Sequence, residues 1–432
     1  MITTDKPSIG LACAGGAIEG AAYEIGALCA LDETLEGVDF SQLNVYVGVS
    51  SGAFIASCLA NQITPDTLRK AIISTAEAVL PITPETFFTP AYKEYRKRLL
   101  KIPSLVNDSI WDYLSRPFDI SLTGSLFRLT SALPIGLFDN ENIRSYLADN
   151  FSLNGRTDDF RELDTKLRVI ATQLTSGKIY RFGESPHDDV KISKAVQAST
   201  ALPSLYMPVE IGGEHFIDGV ARRTVHASSA FEEGAELLFC INPIVPITEK
   251  QRKKIEEKVD ESIVEQGLPN ILSQTFRLMI SSRMRAGFKN YEHEYPDADY
   301  FVFEPDSNSV QTFFTNIFSF ENRQNVCEFG YKTTRKQLRE RVEKMKPVLS
   351  KYGITVREDI LFEERELYPD LPVHKQSKRL KKRKKTKQID QILNRLDDIL
   401  DDVEPNGNGE NGEVTKENLE KVAKKEPALS YA

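Results

Sequence analysis

The chain has 432 residues, a formal net charge of −8, 41% hydrophobic residues and 27% charged residues. These values indicate a globular protein with a sizeable core, built as one large domain or two ordinary ones. No run of about 18 apolar residues occurs, which argues against a membrane-spanning helix. The first residues show no charged leader followed by an apolar run, so we expect no secretory signal.

Charge is unevenly distributed along the chain. The segment from Lys375 to Lys387 contains nine basic residues and no acidic one. The remainder is therefore more acidic than the overall value, which argues against nucleic-acid binding by the main domain. None of the five cysteines forms a C-x-x-C pair, so we expect free buried thiols and a cytoplasmic protein whose membrane contact is at most peripheral.

Two strand–turn–helix units open the chain. Residues 8–13 form a short apolar run that enters a glycine-rich turn, and residues 20–32 follow with helical spacing. Residues 43–47 form a second apolar run, followed by a second glycine-flanked turn and a predicted helix over 53–59. This arrangement predicts a layered α/β sheet with helices on its faces.

Further elements follow the same logic. Strands are predicted over 167–172, 236–241 and 300–303, and helices over 249–266, 271–288 and 327–346, the last of these closing the domain. Residues 75–135 hold several prolines and the only tryptophan, Trp111, and are interpreted as an insertion. We therefore predict a catalytic domain over residues 1–346 with an insertion at about 75–135.

The composition changes towards the end of the chain. Residues 347–370 are predicted to be a domain-edge segment, and residues 371–432 a polybasic, amphipathic-helix and disordered tail. The helix is indicated by apolar residues three and four apart between Ile389 and Val403. The basic block has three open roles: attraction to an anionic membrane, nucleic-acid binding or a solvated spacer. The tail's partner is unknown.

The segment Gly48-Val49-Ser50-Ser51-Gly52 has the form G-x-S-x-G. On a sharp strand-to-helix turn this pattern lifts a serine hydroxyl clear of the backbone, and glycine avoids collisions with the neighbouring strand and helix. The following helix directs its positive dipole end towards the same place. Ser50 is the candidate nucleophile, and a plain tight turn is the alternative.

A second glycine-rich turn, Gly15-Gly16-Ala17-Ile18-Glu19-Gly20, lies between the first strand and helix. Successive backbone amides in such a turn suit an oxyanion hole. They also suit a dinucleotide pyrophosphate, and Asp39 stands about 20 residues further on, as that fingerprint requires. A nucleotide site does not explain the turn at Ser50, whereas a hydrolase uses both turns.

An acid–glycine pair, Asp218-Gly219, follows a short apolar run and supplies a candidate carboxylate, although most such pairs are simple turns. A Ser-His-Asp triad would need a well-placed imidazole. His215 stands at an odd offset from Asp218 and would face the other side of a strand. His226 follows Asp218 in the order usual for α/β-hydrolases and remains the second candidate base. The preferred interpretation is a dyad in which Asp218 acts directly on Ser50.

Together these segments resemble the patatin-like phospholipases. The glycine turn, the serine elbow, the Asp218-Gly219-Val220 segment, the run from Ala195 to Pro203 and the segment Gly136-Leu-Phe-Asp139 occur in the family's order. The resemblance covers about residues 8–345. It implies a three-layer α/β/α sandwich with a mostly parallel central sheet. It also implies a catalytic pair of Ser50 and Asp218, and an oxyanion hole from the amides of Gly15, Gly16 and Ala17.

The same resemblance implies hydrolysis of membrane lipid esters through an acyl-enzyme, without cofactor or metal. Three positions depart from the pattern: Ala17 stands where the family has a third glycine, Glu19 where it has a basic residue, and Val220 where it has a small one. A catalytically degenerate protein that binds lipid or nucleotide on the same scaffold is therefore the alternative function.

The substrate is expected to come from a membrane. Phe87, Phe88, Trp111 and the basic run 96–98 are predicted to contact an anionic lipid surface. A second aromatic cluster, interpreted as a lid, consists of Phe313, Phe314, Phe318 and Phe320. The alternative is that these aromatic side chains belong to the core.

Overall fold

A computed structural model describes residues 7–73, 81–105, 107, 132–221, 226–244, 271, 275, 294–305 and 320–369. The chain divides into two units, residues 1–369 and residues 370–432. The second unit lies outside the described residues, as do the predicted basic block and tail helix. Residues 347–369, predicted as an edge segment, belong to the first unit.

The core of the first unit is an eight-stranded sheet in the order β12-β11-β1-β3-β6-β10-β9, with β7 beside β6. Its strands are β1 (Ile9–Cys13), β3 (Val45–Val49), β6 (Lys166–Gln173), β7 (Ile179–Phe182), β9 (Val209–Ile211), β10 (Glu214–Asp218), β11 (Leu237–Ile241) and β12 (Asp299–Phe303).

The centre of this sheet is parallel. Strands β12, β11, β1, β3 and β6 pair in parallel, whereas β7, β10 and β9 are paired antiparallel. Every residue of β1, β3 and β11 is buried, as expected for strands covered on both faces. The predicted α/β class with a mostly parallel central sheet is confirmed.

Ten α-helices have both ends within the described residues. They are α1 (Ala17–Thr34), α2 (Ser51–Ala60), α3 (Pro65–Ile73), α4 (Pro84–Phe87), α5 (Tyr92–Leu99), α6 (Glu141–Phe151), α7 (Ile192–Ser199), α8 (Ala227–Glu232), α9 (Arg323–Lys351) and α10 (Glu358–Phe362). Helices α1 and α9 pack closely on each other. A Cβ at Gly26 of α1 would lie 1.9 Å from the Cys327 carbonyl oxygen, and one at Gly330 of α9 would lie 2.3 Å from that of Tyr23.

Two small sheets complete the unit. Strand β2 (Leu35–Glu36) pairs with β13 (Thr355–Val356), which ties the residues after α9 to the end of α1. Strands β4 (Thr89–Pro90), β5 (Gly136–Asp139) and β8 (Ser204–Tyr206) form the second sheet, with β5 in the middle. The described part of the predicted insertion thus pairs with core residues through β5.

The predicted elements near the site are present in the structure, but their ends differ from the predicted ones by a few residues. The first helix begins at Ala17 rather than Gly20, and the second strand covers 45–49 rather than 43–47. The helix predicted over 327–346 extends from Arg323 to Lys351, and α10 follows it, so its prediction as the last helix was wrong. The helices predicted over 249–266 and 271–288 lie outside the described residues, apart from isolated positions in the second.

All five cysteines are buried and free, as predicted. Within the part of the chain that the structure describes, no helix combines the length and the apolar character that crossing a bilayer requires.

Candidate active site

Ser50 lies on a tight turn between β3 and α2. Its φ of 55° and ψ of −125° are a strained combination for a residue with a side chain. The flanking glycines permit this turn, because a Cβ at Gly48 would lie 2.4 Å from Ala53 Cα and one at Gly52 would lie 2.3 Å from the Cys13 carbonyl oxygen. The serine is therefore held on the elbow that its sequence pattern predicts.

The backbone of Ser50 is secured by a residue that the sequence did not single out. Its amide donates to Ser199 Oγ at 2.9 Å, and this hydroxyl donates to the Ile170 carbonyl at 2.5 Å. Two residues further on, the Ala201 carbonyl accepts the Asp218 amide at 3.0 Å. The run from Ala195 to Pro203 therefore binds both candidate catalytic segments. The resemblance of this run to the family was the one sequence signal that pointed to Ser199, and it assigned Ser199 no role.

Asp218 ends strand β10 and is almost completely buried, at 1% exposure. Its Oδ1 accepts the Val220 amide at 2.9 Å, whereas its buried Oδ2 has no hydrogen-bond partner among the described residues. Burial raises the pKa of Asp218 to about 7, and the nearby Ser50 hydroxyl and the Val220 amide oppose this rise. The Ser50 hydroxyl is thus close enough to influence the carboxyl without completing a well-formed hydrogen bond, a common state in sites without substrate.

The first glycine turn lies directly against these two segments. A Cβ at Gly15 would lie 2.4 Å from Val220 Cγ2 and 3.0 Å from Ser50 Cβ, so only glycine permits this approach. Ala17, with a φ of 52°, lines the same pocket as Ser50. Val220, which departs from the family's small residue, packs against Gly15 and donates its amide to Asp218.

The three predicted oxyanion donors are not equivalent. The Gly16 amide donates to Ser51 Oγ at 2.8 Å and is occupied in this geometry. No described residue accepts a hydrogen bond from the amide of Gly15 or Ala17. The sequence showed three amides in a row but not the neighbouring hydroxyl that binds the middle one. Gly15 and Ala17 are therefore the two predicted donors whose amides no described residue already binds.

A pocket opens beside Ser50. It is partly open to solvent, and its lining is largely apolar. Side chains of Ile18, Phe54, Ile55 and Leu202 contribute to it. Such a lining suits a hydrocarbon chain whose polar end stays near the serine.

Two of the aromatic residues predicted to contact lipid lie in the wall of this pocket. Phe87 and Phe88 line this pocket, and their rings pack at 6.3 Å against Phe54 and at 5.3 Å against Phe138. They are half-buried and form part of the pocket wall, and their contact with lipid stays a prediction. Phe320, from the predicted lid, also lines the pocket. Trp111 and the other three lid phenylalanines lie outside the described residues.

The histidines contribute little to this geometry. His215 is exposed on β10 while Asp218 is buried, as their odd offset predicted. His226 is buried before α8, but it neither lines the pocket nor is among the groups that shift the pKa of Asp218. His187 packs against Tyr180, at 4.8 Å between ring centres. His293 and His374 lie outside the described residues.

The residues on which the alternative functions depend lie in other environments. Asp39, the candidate ribose ligand, accepts the amide and the hydroxyl of Ser41 within its own loop. Glu19 is fully buried in the first turn of α1. Among the described residues, no group of three or more His, Cys, Asp or Glu side chains is arranged to hold a metal ion.

The fold and the site define an α/β protein with a strained serine elbow, a buried aspartate and a glycine turn meeting at one edge of a parallel sheet. The patatin-like phospholipase family matches residues 11–231, just over half of the chain. The chain belongs to this family, and its membership supports lipid ester hydrolysis in general terms. A comparison with curated protein sequences gave no match.

Solved structures give weaker likenesses. VipD from Legionella pneumophila has a TM-score of 0.36 at 16% identity, covering 78% of this chain and 67% of its own. The type III effector protein ExoU has a TM-score of 0.32 at 14% identity, covering 78% and 53%. Human GIVD cytosolic phospholipase A2, in complex with methyl gamma-linolenyl fluorophosphonate, has a TM-score of 0.32 at 10% identity, covering 80% and 59%. With TM-scores this low, the family assignment rests on the sequence match.

Proposed function

We propose that the protein hydrolyses ester bonds of membrane lipids with Ser50 as nucleophile and Asp218 as its base. The observation that carries this proposal is the burial and hydrogen bonding of the Asp218 carboxyl. Its carboxyl is buried beside the Ser50 hydroxyl, Oδ1 is held by the Val220 amide, and Oδ2 has no hydrogen-bond partner among the described residues. A carboxyl in this position, with a pKa of about 7, is suited to take a proton near neutral pH.

The proposed reaction has two steps. Asp218 accepts the Ser50 proton as the serine oxygen attacks the ester carbonyl, and the amides of Gly15 and Ala17 stabilise the tetrahedral oxyanion. The alcohol portion of the lipid leaves with a proton from Asp218, and an acyl group remains on Ser50. Water, deprotonated by Asp218, then attacks the acyl-enzyme. The fatty acid is released as Asp218 returns this proton to the Ser50 oxygen.

The pocket supports a lipid acyl chain as the group that is transferred. Its apolar side chains begin next to Ser50, so a fatty acyl chain in the pocket would bring its carbonyl to the serine. Aliphatic contacts of this kind favour long chains over acetyl groups, because each buried methylene adds about 0.8 kcal/mol. The proposed substrates are therefore phospholipids and related long-chain esters.

Covalent labelling by a fluorophosphonate probe tests the nucleophile. The wild-type chain should label, and Ser50→Ala should not. Ser57→Ala is a matched control because it removes a buried hydroxyl of helix α2 that bonds the Phe54 carbonyl, and it leaves Ser50 in place. Labelling that persists in Ser50→Ala would overturn the proposal.

Turnover of a monomeric ester separates the two candidate bases. Asp218→Asn should lower kcat by at least about a hundredfold, the lower end of what general-base catalysis contributes. His226→Ala should leave kcat within a few-fold, since His226 is not among the groups that act on Asp218. The reverse result would favour a triad.

A second function has one specific observation in its favour. Glu19 is fully buried in the first turn of α1, where the family has a basic residue, and a carboxylate there would oppose the developing oxyanion. A non-catalytic lipid-binding protein would bind fatty acid but fail to label. Fatty-acid binding without labelling by the probe would therefore favour this alternative over the hydrolase.

A further inference from the structure

Several apolar side chains in the described part of the insertion are exposed to solvent. On and just after α5, Tyr92, Leu99 and Leu100 are 55%, 53% and 59% exposed. In the adjoining segment, Leu133 and Ile135 are 65% and 47% exposed. Scattered single apolar residues are ordinary on a protein surface, but a cluster of them marks an interaction site.

Contacts hold these two segments together. Tyr95 Oη donates to the Leu137 carbonyl, the Ala91 amide donates to the same carbonyl at 3.2 Å, and the Ile135 amide donates to Glu94 Oε1 at 3.5 Å. The exposed apolar residues of both segments therefore belong to one region, which we call the insertion face. It consists of residues 92–102 and 133–137.

The insertion face carries several exposed basic side chains. Lys93, Arg96, Lys97 and Lys101 are exposed, and none forms an ion pair with an acid in the described residues. Glu94, the only acid of residues 92–102, is buried against Arg98 at 2.6 Å. Helical geometry places Tyr92, Arg96 and Leu99 on one side of α5, so apolar and basic side chains alternate along its outer surface.

The insertion face is continuous with the wall of the pocket. Strand β5 pairs with β4 and β8, and the Tyr206 hydroxyl donates to the Phe87 carbonyl at 2.9 Å. Phe88 packs on Phe138 of the same strand, and Phe87, Phe88 and Tyr206 all line the pocket. Molecules bound at the insertion face therefore lie beside the pocket wall.

We propose that the insertion face docks on an anionic lipid bilayer and delivers lipid to the pocket beside Ser50. Leucine and tyrosine side chains with flanking lysine and arginine are the combination that interfacial helices use, apolar groups entering the headgroup region and cations contacting anionic lipid. An acidic protein would satisfy the cations but not the exposed leucines. The delivery step rests on the proposed lipid hydrolysis, and the docking step does not.

Vesicle binding by the full chain tests the docking step. All chains carry Ser50→Ala to keep the lipids intact, and all retain residues 370–432, so that any attraction by the basic tail is constant. Binding of the chain with Ser50→Ala as its sole substitution is measured by sedimentation at about 0.15 M salt. One set of vesicles contains phosphatidylcholine alone, and the other contains 30% phosphatidylserine. We expect clear preference for the anionic vesicles.

Two double variants remove the two components separately. Leu99→Ser with Leu100→Ser, and Lys93→Glu with Lys97→Glu, should each weaken binding to the anionic vesicles by about tenfold or more. A matched control, Leu174→Ser with Lys344→Glu, changes exposed residues of the same types elsewhere and should leave binding unchanged.

Three outcomes overturn the docking step: no binding to anionic vesicles, unchanged binding in both insertion-face variants, or equal loss in the control. Turnover of a monomeric short-chain ester, measured without the Ser50 substitution, keeps this test apart from the proposed function. If the ester is hydrolysed and the insertion-face variants bind normally, only the docking step fails. If vesicles bind as expected and the ester is not hydrolysed, only the proposed function fails.

Discussion

At the scale of single residues, the site combines groups that are costly to hold in a fold. Ser50 occupies a strained backbone conformation, and Asp218 is a buried carboxyl whose Oδ2 has no hydrogen-bond partner among the described residues. Both features lower stability, and both are common where a protein prepares a group for chemistry. Their cost can be measured directly.

The first prediction concerns the effect of pH on stability. The folded-state pKa of Asp218 is about 7, against an ordinary value of 3.8, so the fold favours the neutral acid. Stability is therefore unaffected below about pH 4, falls as pH rises towards 7, and carries the full penalty of at most about 4 kcal/mol above that. Asp218→Asn removes this penalty.

The free energy of unfolding of the wild type and of Asp218→Asn, measured in urea at pH 5 and pH 8, checks this prediction. The advantage of the variant over the wild type should be larger at pH 8, because other titrating groups cancel in the difference. Activity should change in the opposite direction, with kcat/KM rising as pH passes about 7 and Asp218 ionises. An advantage that is equal at both pH values would contradict the pKa.

The second prediction concerns Ser199 as a positioning residue. Ser199→Ala leaves the Ser50 amide without its 2.9 Å acceptor, and an unsatisfied buried amide costs about 1–3 kcal/mol. We expect kcat for a monomeric ester to fall at least about tenfold with KM nearly unchanged. Ser57→Ala is the control, since this buried hydroxyl bonds the Phe54 carbonyl within α2 and does not contact the elbow backbone. Equal effects of the two variants on kcat would remove the positioning role.

At the scale of secondary-structure elements, the close packing of α9 on α1 holds in position the helix that begins beside Ser50. Helix α1 begins at Ala17, beside Ser50, so a displacement of α1 would move the candidate oxyanion donors. Its partner α9 is held in turn by Arg335, whose buried guanidinium donates to the carbonyls of Ile360, Leu361 and Glu363. The last residues of the unit thus fix a helix that touches α1.

The third prediction tests this packing. Gly26→Ala would place a Cβ 1.9 Å from the Cys327 carbonyl oxygen, and backbone atoms of both helices would have to separate. We expect a loss of about 3 kcal/mol in the free energy of unfolding, measured in urea. Lys344→Ala, on the exposed side of α9, should change it by less than about 0.5 kcal/mol. A tolerated Gly26→Ala would mean that the two helices separate easily.

At the scale of the whole molecule, the candidate site is contained within the first unit. Every residue of the elbow, the glycine turn, the aspartate and the pocket lies between Ala14 and Phe320, and this unit extends to Pro369. The tail is therefore expected to affect where the protein acts rather than its chemistry.

The fourth prediction follows from this division. A chain that ends at Asp370 should fold, label with the fluorophosphonate probe and hydrolyse a monomeric ester at a rate within a few-fold of the full chain. Its binding to anionic vesicles should weaken if the basic block adds attraction of about 1 kcal/mol per charge near the surface. Loss of labelling in a truncated chain that is still folded by circular dichroism would show that the tail contributes to the site.

The sequence alone determined the layered α/β class and the two glycine-rich turns, because apolar runs, helical spacing and glycine patterns are local signals. It also placed Ser50 and Asp218 in a single hypothesis, through the order of their motifs. The roles of both residues remain predictions. The boundaries of α1 and β3 were less accurate, because tertiary contacts rather than local preference end those elements.

Only the tertiary structure decided which groups face one another. Ser51 Oγ accepts the Gly16 amide, Ser199 Oγ accepts the Ser50 amide, and Phe87 and Phe88 line the pocket beside Ser50. Each of these contacts joins residues from different elements, more than 30 positions apart for all but the nearest pocket neighbours. A sequence specifies such contacts only through the packing of the whole unit, which is why motif spacing could propose the site but not its hydrogen bonds.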